Sequence, residues 1–122
     1  NLLRDLRSSL GLTYIFVSHN LAVVDYLADR IGVMCKGRLV EIADKTSLIS
    51  DPRHPYTRAL LAAVPEPSLD APLDFAAVCN AGISVPSEWP EPFRPGPHVH
   101  LELHEVAPGH HVLVSSSKRQ AA

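Results

Sequence analysis

Residues 13–20 read TYIFVSHN, and this stretch decides the fold. Its first five residues are β-branched or aromatic with no polar alternation, which predicts a strand buried on both faces of a parallel sheet. Before it, the leucines of residues 2–10 recur at helical spacing. After it, residues 21–28 again have helical spacing, with Asn20 or Ser18 as the candidate N-cap. Helix, buried strand and helix in this order predict an α/β fold.

The next part of the chain predicts two short strands and two short helices. The strands, residues 31–35 and 39–42, flank Lys36-Gly37-Arg38, which suits a tight hairpin. A short helix is predicted at 46–49, and Pro55 is well placed to begin another. In that second helix Tyr56, Ala59, Leu60 and Ala63 share a face, which indicates either packing onto the domain or a docking surface for a partner.

The chain becomes rich in proline after Val64. Nine of the 11 prolines lie between residues 65 and 108, and the stretch 65–97 has no regular periodicity, so an extended, surface-following segment is predicted there. Apolar residues then alternate with polar ones from Val99 to His104, and a Pro108-Gly109 turn predicts a hairpin with a second strand at 111–114.

Composition excludes several classes of protein. The chain has 122 residues, 46% of them hydrophobic, and a formal charge of -2. A basic face is absent, so nucleic acid is excluded as a partner, and no apolar run approaches the length of a membrane span. Cys35 and Cys79 make no disulfide framework, which fits a reducing cytoplasm. The chain begins at Asn1 directly within a helical pattern, which indicates a piece of a longer protein.

His19 is the main candidate for chemistry. It follows a predicted buried strand, and ligands of open α/β sheets bind beyond the carboxyl ends of such strands. A histidine in this position can donate a hydrogen bond to a phosphate oxygen. The structural alternative is that His19 only helps to cap the following helix.

Several strings resemble ATPase subunits of ABC transporters. Residues 11–24, GLTYIFVSHNLAVV, resemble the switch-histidine region, and ADRIGVM at 28–34 and GRLVE at 37–41 continue the pattern. PRHPYTRALL at 52–61 is similar to a segment of the oligopeptide, dipeptide and nickel importer branch. VAPGHHV at 106–112 resembles the ending of that branch.

The resemblance implies an α/β fold in three parts. Residues 1–50 would be the C-terminal portion of a P-loop ABC ATPase core that includes the switch histidine, 51–67 an importer-type helix segment, and 68–122 a proline-rich accessory tail with a β-hairpin. It implies that His19 contacts the γ-phosphate of ATP and helps to position the attacking water. Asn20 stands where the family usually has aspartate, and Ala43 where the branch usually has glycine.

The implied function is that of an ATP-hydrolysing subunit that powers import of peptides or a related small solute across the bacterial inner membrane. Its expected partners are a second ATPase subunit, the transmembrane permease subunits and, indirectly, a solute-binding protein, with the subunit peripheral on the cytoplasmic face. ATP and Mg²⁺ are expected for the complete subunit. This chain alone has no Gly-x-x-x-x-Gly-Lys-Ser/Thr loop, no hydrophobic run ending in Asp-Glu and no signature segment, so it is expected to bind neither.

Five histidines crowd into the last quarter of the chain: His98, His100, His104, His110 and His111. Zinc and nickel sites use such clusters. The pattern favours solvated strand residues instead, because no thiolate or carboxylate pattern completes a ligand set. An alternative function is therefore kept open, in which the chain is a truncated, non-enzymatic remnant that acts as an interaction or metal-binding module.

Overall fold

A computed structural model describes residues 2–63 and 85–116 of the chain. The helices are α1 (Leu2–Leu10), α2 (Leu21–Leu27), α3 (Lys45–Ser50) and α4 (Pro55–Ala62), with a 3-10 helix at Pro86–Glu88. The strands are β1 (Arg30–Cys35), β2 (Arg38–Asp44), β3 (Leu101–Ala107) and β4 (His110–Ser115). The predicted strands at 31–35 and 39–42 and the predicted helices at 46–49 and from Pro55 are confirmed within one or two residues.

Two hairpins that are distant in sequence form one antiparallel sheet in the order β1-β2-β4-β3. Lys36 and Gly37 join β1 to β2, and both have positive φ, 52° and 78°, as the favoured two-residue turn requires. Gly109, with φ of 72°, turns β3 into β4. β4 also pairs with β2 through Glu41↔Val112 and Ile42↔His111, so residues 110–115 lie within the same sheet as residues 30–44.

The hydrophobic core packs against this sheet. Alternate residues of β1 are buried, as a strand with one covered face should be. The buried cluster consists of Ile31, Val33, Cys35, Val40, Ala43, Leu48, Trp89 and Leu113. Tyr56 and Leu60 of α4 pack against it, so the apolar face of α4 packs onto its own domain.

The prediction of a buried strand at 13–17 is wrong for the structure described. The segment is extended but belongs to no strand, and the side chains of Ile15 and Val17 are 97% and 92% exposed. A strand buried on both faces requires neighbouring strands to bond its N–H and C=O groups and helices on both sides of the sheet. Within the described residues, no strand pairs with residues 13–17 and no sheet is covered by helices at that segment. The sheet that is described is antiparallel throughout.

The prediction of a surface-following segment at 65–97 also differs from the structure where it can be compared, at residues 85–97. Trp89 is only 2% exposed and belongs to the core. A hydrogen bond connects this segment to β4: the Ser115 N–H donates to the Pro92 carbonyl at 2.7 Å. Burial of one large indole therefore overrides the extended tendency of the prolines. Residues 64–84, including Cys79, lie outside the described structure.

Surface contacts hold α1 beside α2. Arg7 forms an ion pair with Asp29 at 2.7 Å, and the Arg4 guanidinium lies 4.9 Å from the centroid of the Tyr26 ring. None of the nine residues of α1 is buried. Exposed ion pairs and cation–π contacts of this kind stabilise a fold by at most about 1 kcal/mol each, so α1 is weakly attached. In residues 2–63 and 85–116, no helix has the length and apolar character needed to traverse a lipid bilayer.

Candidate functional site

His19 lies in the turn between the extended segment and α2, and its side chain is exposed. The two residues beside it organise that turn. The Ser18 hydroxyl accepts a hydrogen bond from the Asn20 N–H at 3.0 Å. The Asn20 side-chain oxygen accepts one from the Val23 N–H at 3.4 Å, which makes Asn20 the cap of α2. Asparagine therefore fulfils the capping role at the position where the family usually has aspartate.

The residues around His19 do not by themselves fit a nucleotide. A triphosphate and its metal ion are held by a loop of backbone N–H groups, a lysine and a hydroxyl, and the sequence contains no such string. The segment before His19 is apolar and exposed rather than folded around a cavity. The role of His19 toward ATP therefore remains a prediction.

A second group of polar residues is buried between β2, β4 and the start of α4. The carboxylate of Glu41, on β2, is completely buried. It accepts hydrogen bonds from the backbone N–H groups of Arg53 at 2.8 Å and His54 at 3.0 Å. Its Oε1 also lies 2.6 Å from Nε2 of His110, which is itself buried on β4. We call Glu41, His54 and His110, with the Arg53 N–H, the Glu41 cluster.

His54 is the N-cap of α4 and a neutral buried ring. Its Nδ1 accepts a hydrogen bond from the Tyr56 N–H at 3.1 Å, which leaves the ring proton on Nε2. Burial lowers the pKa of His54 to about 4, because the interior disfavours the charged ring, although the nearby Glu41 partly opposes this shift. The ring meets Trp89 and Phe93 edge-to-face, with centroids 4.6 and 5.0 Å away. His54 thus joins α4 to the segment that carries Trp89.

The Glu41 cluster was not predicted, although all three of its members stand in strings that resemble the importer branch. Glu41 ends the GRLVE string, His54 is in PRHPYTRALL, and His110 is in VAPGHHV. The structure brings these three strings to one carboxylate. The available signal was an acidic residue between apolar neighbours on a predicted strand, because a buried charge requires partners.

The C-terminal histidines do not converge. His98 lies in a turn rather than on the predicted strand, and His110 is directed to Glu41 rather than to the other histidines. On β3, Glu102 stands between His100 and His104, with oxygens 3.1 and 3.8 Å from their Nε2 atoms. Within residues 2–63 and 85–116, no group of three or more histidine, cysteine, aspartate or glutamate side chains is arranged to hold a metal ion.

Comparison with known proteins extends the resemblance. Residues 40–80 match the family model described as the C-terminal region of oligopeptide/dipeptide transporters. A putative peptide import ATP-binding protein of Brucella ovis is 58% identical over 71 residues, 58% of this chain and 22% of that protein. The oligopeptide transport ATP-binding protein of Bacillus subtilis is 36% identical over 128 aligned positions, 99% of this chain and 37% of that protein. The dipeptide transport ATP-binding protein of Escherichia coli K12 is 42% identical over 80% of this chain and 27% of its own length.

These matches support assignment of the chain to the C-terminal part of an ATP-binding subunit in the peptide-importer branch of ABC transporters. The chain spans only 22–37% of the length of these curated relatives. The family region contains Glu41, α3 and α4, so within the Glu41 cluster Glu41, Arg53 and His54 lie inside it and His110 lies outside it. The alternative of a remnant with an unrelated role is not favoured.

Proposed function

We propose that this chain serves as the C-terminal part of an ATP-hydrolysing subunit that powers import of peptides or a related small solute. The observation that carries the proposal is the exposed His19, held between an exposed apolar segment and a helix capped by Asn20. Side chains such as Ile15 and Val17 each gain about 1.5–3 kcal/mol when they are buried. Their exposure supports a segment that packs against the rest of a larger subunit.

In the complete subunit, His19 contacts the γ-phosphate and helps to hold the attacking water. ATP and Mg²⁺ are bound by segments that the present sequence does not contain, which is consistent with the absence of a P-loop string here. The subunit works with a second ATPase subunit and with membrane permeases on the cytoplasmic face of the inner membrane, and through the permeases with a solute-binding protein. The names of the relatives, a putative peptide import ATP-binding protein and a dipeptide transport ATP-binding protein, support a role in peptide import.

The proposal is tested by His19→Ala in the complete subunit. ATP turnover should fall by at least about 100-fold, the usual scale for loss of a positioned transition-state donor, while nucleotide binding changes little. His98→Ala is the matched control, since His98 is an exposed histidine in a turn outside the sheet. Turnover is measured as phosphate release at saturating Mg-ATP. Near-normal turnover in His19→Ala would restrict His19 to a structural role in the turn before α2.

A further inference from the structure

β3 is an edge strand of the sheet. It occupies one end of the order β1-β2-β4-β3, and no described strand pairs with its outer side. Most of its seven residues are exposed. An open edge presents unpaired N–H and C=O groups that another strand can bond, and proteins either protect such edges or use them for association.

The backbone groups that face the open edge can be identified. Ser116 N–H donates to the His100 carbonyl at 2.8 Å, so His100 occupies a hydrogen-bonded position of the β3–β4 ladder. These positions alternate along an antiparallel pair. Glu102 and His104 therefore bond β4, whereas the N–H and C=O groups of Leu101, Leu103 and Glu105 point to the open edge.

We propose that this edge pairs with β3 of a second copy of the chain, antiparallel and centred on Leu103. In this arrangement the two Leu103 residues lie opposite each other and exchange two backbone hydrogen bonds across a twofold axis. Leu101 of each copy lies opposite Glu105 of the other, which adds further ladder bonds. The association is separate from the proposed ATPase role, because it uses neither His19 nor the apolar segment before it.

The charged side chains of β3 favour this register. Registers that keep corresponding faces of the two copies on the same side of a joint sheet are centred on a residue rather than between two residues. Centring on 101 would oppose His100 to Glu102, but it carries the ladder into residues 97–100, which precede β3 and include Pro97, a residue without an N–H. Centring on 105 would oppose Glu105 to Glu105. Centring on 102 places Glu102 opposite Glu102, and centring on 104 places His104 opposite His104. Centring on 103 places Glu102 opposite His104 twice. Opposite partners stabilise a sheet and directly opposed like charges destabilise it.

Leu103 would add an apolar contact between the two copies in the same register. It pairs with the buried Leu113 on β4, yet it is 41% exposed because no further strand covers it. A second Leu103 beside it would extend the apolar face past the present edge of the sheet. The charged residues of β3 discourage pairing with an unrelated apolar strand, so the matching strand of a second copy is the partner that fits.

The test is sedimentation equilibrium of the 122-residue chain over a concentration series. A monomer–dimer equilibrium is expected. Glu102→His would oppose histidine to histidine, and His104→Glu would oppose glutamate to glutamate. Because each substitution replaces two favourable pairs with two unfavourable ones, each should raise the dimer dissociation constant by roughly tenfold or more. The double variant, Glu102→His with His104→Glu, recreates both pairs and should restore the dimer.

Two controls make the outcome specific. Glu88→Lys changes an exposed charge in the 3-10 helix, outside the sheet, and should leave the dimer unchanged. Hydrogen exchange at the Leu103 amide should slow as the protein concentration rises, and thermal unfolding establishes that each variant is folded. A chain that stays monomeric at all concentrations, equal dimer strength in the single variants, or a double variant as weak as the single ones would each overturn the proposal.

Discussion

At the scale of single residues, Glu41 is the point where distant parts of the chain meet. Its two carboxylate oxygens satisfy two N–H groups at the start of α4 and the ring of His110 on β4. A buried carboxylate is costly to desolvate, and these bonds offset that cost. The residue thereby fixes α4 and the second hairpin relative to β2.

Glu41→Gln should lower the free energy of unfolding by about 1–3 kcal/mol. Glutamine keeps the volume but offers a single acceptor oxygen, so at least one buried donor loses its bond. Urea unfolding at pH 7 measures the change. Glu88→Gln, the same substitution at an exposed position, should stay within about 0.5 kcal/mol of the parent. Equal losses in the two variants would show that the buried bonds contribute nothing.

His54 makes stability depend on pH. The folded chain holds its pKa near 4, below the ordinary value of 6.5, so between these values the unfolded chain binds the proton more readily. The contribution of neutral His54 is complete above about pH 6.5 and is lost as pH falls toward 4. A single group changes the free energy of unfolding by at most about 1.4 kcal/mol per pH unit.

His54→Asn should therefore flatten the decline in stability between pH 6.5 and pH 4.5. Asparagine retains the ability to cap α4 but does not titrate. Urea unfolding at several pH values gives the slope for each protein, and the difference in slope is the relevant quantity, because the variant also loses ring packing against Trp89. His98→Asn, at an exposed histidine, should keep the parent slope. A variant that declines as steeply as the parent would contradict the assignment.

At the scale of elements, local sequence signals predicted the structure where local chemistry decides it. The Lys36-Gly37 turn, the proline at the start of α4 and the Asn20 cap each act within a few residues. The failures involve partners distant in sequence. The 13–17 segment has the composition of a buried strand, but composition cannot supply the neighbouring strands. Trp89 stands among prolines, and only the folded chain shows that it fills the core.

In the candidate sites too, the sequence predicted the residue that a local pattern marks and missed the cluster that depends on distant contacts. His19 was identified from its position after an apolar run, and the structure places it in an exposed turn. The Glu41 cluster joins residues 41, 54 and 110, and no local pattern states that they meet. Pairing of β2 with β4 brings residues 41 and 110 together, and that pairing depends on the register of two separate hairpins. Residue 54 joins them through the hydrogen bond of its backbone N–H to Glu41.

At the scale of the whole molecule, the chain has a well-packed part and a poorly packed part. The sheet, α3, α4 and Trp89 share one core. α1 buries none of its residues, and the segment after it is exposed. This contrast is the physical basis for the proposal that residues 2–20 pack against other segments of a larger subunit.

The contrast predicts that one double substitution has different effects in two contexts. Ile15→Ser with Val17→Ser should change the free energy of unfolding of the present chain by less than about 0.5 kcal/mol per site, because both side chains are exposed. In the complete subunit the same pair should destabilise by several kcal/mol, as loss of buried apolar side chains does. Chemical unfolding of both proteins provides the comparison. Equally small effects in both would show that this segment is also exposed in the subunit.

The burial of Trp89 has a consequence for the fluorescence of the protein. It is the only tryptophan of the sequence, and its indole ring is enclosed by the core with the His54 imidazole in contact. An enclosed indole emits at shorter wavelength than one in water, and a protonated imidazole in contact with it quenches the emission. The tryptophan fluorescence of this chain therefore arises from one ring that is sensitive both to the packing of residues 85–97 against the core and to the charge of His54. The wavelength of the emission reports whether residues 85–97 are packed against the core, and its intensity reports whether His54 is protonated.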